Sequence, residues 1–172
     1  MNWTNALEHI VERYSGQSGG GAAPAPADAH QDFQQVAQAA PPDVVAGGIS
    51  QAFRSDQTPP FSEMFSNLFS QSDPNQRAGL LNRLLGSLGP GALTSLPGLA
   101  GLSSMFQSGT VTPEQAAQVS PVQVQQLAAH AERQNPSIVD EVSRFCAQHP
   151  QIMKAAGGLA VTIALQHMLK RR

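Results

Sequence analysis

Cys146-Ala147-Gln148-His149 is the one local stretch of this chain that carries residue types suited to nucleophilic catalysis. A thiolate nucleophile needs a base within hydrogen-bond reach and a third group that orients the base. Three residues apart on one helix, a cysteine and a histidine share a face and could meet. Yet Cys146 follows Phe145 on an apolar face, where a buried, inert thiol is the usual occupant. His149 stands directly before Pro150, and its simplest task there is to end the helix. An enzyme with a Cys146-centred site is therefore the weakest of the functional readings.

Other chemistry is no better supplied. His9, His30, His130, His149 and His167 are dispersed, without the paired spacing of a zinc site. Asp140-Glu141 reads as a solvated helix face. No glycine loop follows a strand to cradle a phosphate. The sequence thus predicts no catalytic, cofactor-binding or metal-ligating residue, and no cofactor. A net charge of −2 and an aromatic content of 5% also lack the electrostatic footprint of a nucleic-acid-binding protein.

Surface composition points elsewhere. Charged residues make up 13% of the 172 residues, about half the share usual for soluble proteins. The polar faces must then be built from Gln, Ser, Asn and Thr. Weak mutual repulsion raises the expectation of self-association. The charge is also unevenly placed. Residues 1–60 hold six acids against Arg13 and Arg54, whereas Lys154, Lys170, Arg171 and Arg172 close the chain with no acid among them. The single cysteine excludes an internal disulfide framework. The opening MNWTNALEHIVERY has no basic start and no continuous apolar run, so it is not read as a secretory signal. A cytoplasmic location is expected, with membrane association as its variant.

These features need helices to position them. Trp3, Leu7, Ile10, Val11 and Tyr14 recur at helical spacing, which predicts an amphipathic N-terminal helix over residues 1–15. Residues 16–27 contain no large apolar side chain and read as a flexible Gly/Ala/Pro linker. Residues 28–172 are expected to form the helical body. There, Phe33, Val36 and Ala40, then Val45, Ile49 and Phe53, then Phe61, Met64, Phe65, Leu68 and Phe69 mark successive apolar stripes. Asp73-Pro74, Thr112-Pro113, Ser120-Pro121 and Asn135-Pro136 each offer a capping side chain followed by Pro, a helix-start signal. From Pro74, Ala78, Leu81, Leu84, Leu85 and Leu88 are expected to be buried. Val124, Leu127, Val142 and Phe145 join that core, and the glycine pairs 47–48 and 157–158 read as close-packing points. No strand pattern is sustained. The fold class predicted is all-α: a compact bundle of seven to nine short helices with a flexible N-terminal arm.

The closing stretch, KAAGGLAVTIALQHMLKRR, admits three readings. As a membrane span it is short: the residues between Lys154 and Lys170 reach roughly 22 Å, against a hydrocarbon core of about 30 Å. As a core helix, it would place Ala156, Ala160 and Ala164 in a strip that admits a close neighbour. Leu159 and Ile163 would flank that strip on one side, with Val161, Leu165 and Met168 on the other. As an interfacial helix, its basic end would meet anionic lipid or an acidic partner. The core reading is preferred, because Lys-Arg-Arg also suits the negative end of a helix with no partner at all.

The stretches AFRSDQTPPFSEMFSNLF, QRAGLLNRLLGSLGPGAL and VTPEQAAQVSPVQVQQLAAHAERQNPSIVDEVSRF resemble a set of uncharacterised bacterial proteins. The similarity runs from about residue 30 to the end. What it implies is a bacterial, small helical protein, with no site residue to carry over. The function expected is a non-catalytic helical interaction or scaffold protein that binds a protein partner or further copies of itself. Its alternative is a peripheral membrane protein using the apolar, basic C-terminal helix. The residues expected to meet a partner or membrane are Trp3, Leu7, Ile10, Lys170, Arg171 and Arg172.

Overall fold

The computed structural model describes residues 5, 8–10, 26–89, 91, 97, 100–103 and 108–170. No strand occurs among them, and the fold is all-α. In order the helices are α1 (Pro26–Ala39), α2 (Pro42–Phe53), α3 (Phe61–Gln71), α4 (Pro74–Leu88), α5 (Ala100–Ser103), α6 (Pro113–Gln118), α7 (Pro121–Gln134) and α8 (Ile138–Gln148). A 3-10 helix (Pro150–Ala156) and α9 (Gly158–Lys170) close the chain. The linker read over 16–27 lies outside the described residues except at its end, where α1 already begins at Pro26. Proline has no N–H to leave unpaired in a first turn, and Asp28 meets the positive end of the helix there.

Two compact units emerge, one formed by residues 1–58 and 143–172, the other by residues 59–142. Residues 28–172 therefore span both units, and α8 is shared: Val142 ends one unit and Ser143 resumes the other.

In the unit of residues 59–142, Phe61, Met64, Phe65, Leu68 and Phe69 are all buried, as their spacing requires. The rings of Phe61 and Phe65 lie 5.7 Å apart and tilted by 52°, an arrangement that aromatic quadrupoles favour. This stripe packs on α7, whose Val124, Leu127, Ala128 and Ala131 are buried. The Ser66 hydroxyl donates to the Pro121 carbonyl at 2.9 Å, pinning α3 to the first turn of α7. Helix α4 packs on α3, α6 and α7.

Reciprocal capping boxes start α4, α6 and α7. Asp73 and Gln76, Thr112 and Gln115, and Ser120 and Gln123 each exchange side chain and backbone, with Pro in the first turn. Each cap contributes about 0.5–2 kcal/mol. Two further side chains tie up backbone groups. Arg77 donates from Nε to Phe69 O at 2.9 Å and from Nη2 to Ser70 O at 2.7 Å, with its guanidinium over the Phe69 ring. It thereby supplies a donor to the Ser70 carbonyl and a second one to the Phe69 carbonyl, which also accepts from Ser72 N. Asn82 accepts from Val111 N at 2.7 Å and donates to Val111 O at 3.2 Å.

Three expectations in the body need correction. Asn135 does not cap α8: its Oδ1 accepts from Ser137 N at 3.2 Å, and its own N–H donates to Ala131 O. A local turn thus forms, and the helix begins two residues later than Pro136 suggests. Leu85 and Leu88 are only half-buried, because they occupy the closing turns of α4. Leu80, outside the predicted stripe, is fully buried instead.

In the unit of residues 1–58 and 143–172, α9 packs on α1, α2 and the 3-10 helix. Phe33 and Val36 of α1 are buried, as are Val45, Ile49, Ala52 and Phe53 of α2. They share the core with Ala160, Val161, Ala164, Leu165 and Met168 of α9, and with Ile152 and Met153 of the 3-10 helix. The Thr58 hydroxyl donates to Ala52 O at 2.6 Å and to Ser55 O at 2.9 Å, closing the end of α2.

Gly48 is the tightest point of the α2–α9 contact. A Cβ placed there would lie 2.7 Å from Ala164 O and 2.8 Å from Met168 Cγ. Gly48 is therefore a close-packing point, as its sequence suggests. Gly157 is not: nothing lies near it, and its φ of +87° makes it a left-handed turn between the 3-10 helix and α9. That turn also breaks the expected alanine strip, since Ala156 belongs to the 3-10 helix.

Candidate interaction surface

The closing helix has one buried face and one open face. Ala160, Val161, Ala164, Leu165 and Met168 point to the core, whereas Leu159 is 52% exposed and Ile163 half-buried. The helix is thus not covered all round, as a central core helix would be. Leu159, Ile163, Gln166 and Lys170 follow one another at spacings of four, three and four residues, which places them along a single stripe.

Beside that stripe lies a groove of about 230 Å³. Gln51 and Ser55 from the end of α2 form one wall, and Ile163, Gln166, His167 and Lys170 of α9 the other. The Gly48 contact holds the two helices together next to it, so the walls are fixed by backbone packing. Ser55 Oγ accepts from Gln57 N at 3.2 Å. The side-chain amides of Gln51 and Gln166 and the Lys170 ammonium have no hydrogen-bond or ion-pair partner among the described residues. No carboxylate lines the groove among the described residues.

Of the residues expected to meet a partner, Lys170 stands at this groove. Trp3, Leu7, Arg171 and Arg172 lie outside the described residues. Ile10 is 4% exposed, so this chain already covers it. Gln51, Ser55, Gln166 and His167 were not singled out by the sequence. The groove depends on which face of α9 the small residues draw towards α2, and Gly48 carries that signal only once Ala164 is set against it.

Cys146 is fully buried. The His149 ring packs tilted against Phe145, with ring centroids 4.7 Å apart, and the backbone N–H of His149 donates to the carbonyls of Phe145 and Cys146. It therefore ends α8. Among the described residues no three His, Cys, Asp or Glu side chains are grouped as a metal site, and no helix is long and apolar enough to cross a membrane. Asp140 and Glu141 are half-buried rather than fully solvated.

The protonation equilibrium of His30 is displaced. Burial first, and the Lys154 ammonium second, hold its imidazole below the ordinary 6.5. The folded chain thus favours neutral His30, and the unfolded chain binds its proton more readily. This contribution to stability is full above pH 6.5 and is lost as pH falls through the lowered value. Denaturant titrations stepped downward from pH 8 should show this loss, and His30→Gln should flatten it. An identical pH slope in the variant would disprove the assignment.

Comparison of the chain with protein-family models, with curated proteins and with solved structures returns no match. Function must therefore be argued from the surface itself.

Proposed function

We propose that this protein is a non-catalytic helical interaction protein that docks a partner on the open face of α9. One observation carries the reading: a helix held against α2 at Gly48 turns Leu159 and Ile163 outward beside a groove of hydrogen-bonding side chains. A rigid helix face is a low-entropy platform for a partner helix or loop. Among the described residues Val122, at the start of α7, is a second large apolar side chain that is mainly exposed, at 64%. Single exposed apolar residues are ordinary on protein surfaces, so the reading rests on Leu159 together with the groove beside its stripe.

A photo-crosslinking residue at position 159 of the full chain, expressed in host cells, should yield a discrete protein adduct. The same residue at Gln126, exposed on α7, should not. An adduct of twice the chain mass would identify the partner as a second copy. Lipid adducts alone, or the same adducts at both positions, would overturn the reading in favour of a membrane surface or of no specific contact.

A further inference from the structure

We infer that the groove between α2 and α9 recognises an acidic segment of a protein partner, one that sets a carboxylate against Lys170 and an apolar side chain against Leu159 and Ile163. This inference rests on the reading of α9 as a docking face and names the chemistry of what docks there.

The groove's lining is one-sided. Gln51, Gln166 and Lys170 bring three side chains with N–H donors to one concavity, and no acid lines it among the described residues. Among those residues the three side chains have no hydrogen-bond partner. The surrounding sequence has the same bias: from Lys154 to Arg172 there are four basic residues and no acid. A carboxylate would take a charge-assisted hydrogen bond from the ammonium and a second from an amide, the stronger class of polar contact. Two helical turns from Lys170 along the stripe, Ile163 and then, a further turn on, Leu159 offer apolar area that a lone anion would leave uncovered. The occupant that uses both ends is an amphipathic segment with Asp or Glu about two turns from Leu, Ile or Phe.

A lipid surface fits less well. Interfacial helices insert a broad apolar ridge flanked by basic residues. Here the apolar part of the stripe is Leu159 and the half-buried Ile163, and its neighbour is a concave polar groove.

The test uses the full ¹⁵N-labelled chain and two soluble helical peptides. One carries Glu two turns from Leu, and its twin carries Lys at the Glu positions. The Glu peptide should shift the amides of Gln51, Ile163, Gln166 and Lys170, while the Lys twin leaves them in place. Raising salt should weaken the Glu peptide, because the contact is exposed to screening. Lys170→Gln should weaken it by roughly two- to fivefold, an exposed charge contact contributing modestly. Lys170→Glu should favour the Lys twin.

Equal shifts by both peptides, shifts centred elsewhere, or no shift with either would overturn the acidic-partner assignment. So would vesicles of phosphatidylserine shifting these amides when neither peptide does. A protein adduct at position 159 together with no preference for the Glu peptide would sink this inference and leave the docking face standing. Loss of the adduct would remove both.

Discussion

Replacing Gly48 with leucine is expected to lower stability by about 3 kcal/mol or more, at or beyond the upper end of ordinary overpacking. The reason lies in what the new atoms would meet. Ala164 O lies 2.7 Å from the position of a Cβ, and it is a backbone atom of α9 that cannot rotate aside. Met168 Cγ, at 2.8 Å, belongs to a flexible chain and can yield. Every atom beyond Cβ must therefore be accommodated by moving α9 off α2. Even Gly48→Ala should lose stability, although alanine is favoured over glycine in a helix by about 1 kcal/mol. Gly86→Ala supplies the contrast. Gly86 is helical and exposed, with nothing within 4 Å of a new Cβ. There the alanine should stabilise by about 0.4–1 kcal/mol. Opposite signs in chemical denaturation would establish the close approach, and a stabilising Gly48→Ala would refute it. Met168→Ala added to Gly48→Ala should not restore the loss, because the backbone obstacle remains.

The same contact shows what the sequence disclosed and where it stopped. The phases of α3 and α7 are legible because large apolar residues recur at helical spacing and are interrupted by Ser, Asn and Gln. Phe61, Phe65 and Leu68 on one helix, and Val124 and Leu127 on the other, are buried as that spacing requires. The starts of α4, α6 and α7 are legible too, since a capping side chain, a Pro and a Gln three residues past the cap form a local chemical unit. At Asn135 the same pattern fails: an Asn can also close a turn on a nearby N–H, and the Ser137 amide wins its side chain. The closing helix was legible only in part. Apolar residues surround it in sequence, and nothing local states which of Leu159 or Leu165 faces the core. That choice belongs to Gly48 and Ala164, which lie more than a hundred residues apart. The groove at Gln51 and Gln166 follows from that pairing, so a reading along the chain does not reach it.

Phe65→Ala is expected to cost about 3–5 kcal/mol, the range for emptying a buried phenylalanine site. Phe65 is fully buried and its ring is tilted against Phe61. On either side of it along the stripe, Met64 and Leu68 of α3 are fully buried as well. Helix α3 also carries the Ser66 bond to Pro121, which resists inward collapse of the backbone around a void. The cavity should therefore stay open, and the cost should sit towards the upper part of the range. Leu84→Ala, also at a fully buried site, should lose about 2–5 kcal/mol. Leu85→Ala, one residue along the same helix, should lose clearly less, because its half-buried side chain has less apolar area to return to water. The two are the same residue type on the same helix, so their difference isolates burial from helix propensity. Urea midpoints with unchanged slopes would measure all three losses on one scale. A Leu85→Ala loss equal to that of Leu84→Ala would mean that the end of α4 is covered, and an unchanged midpoint for Phe65→Ala would mean that α3 does not face the core.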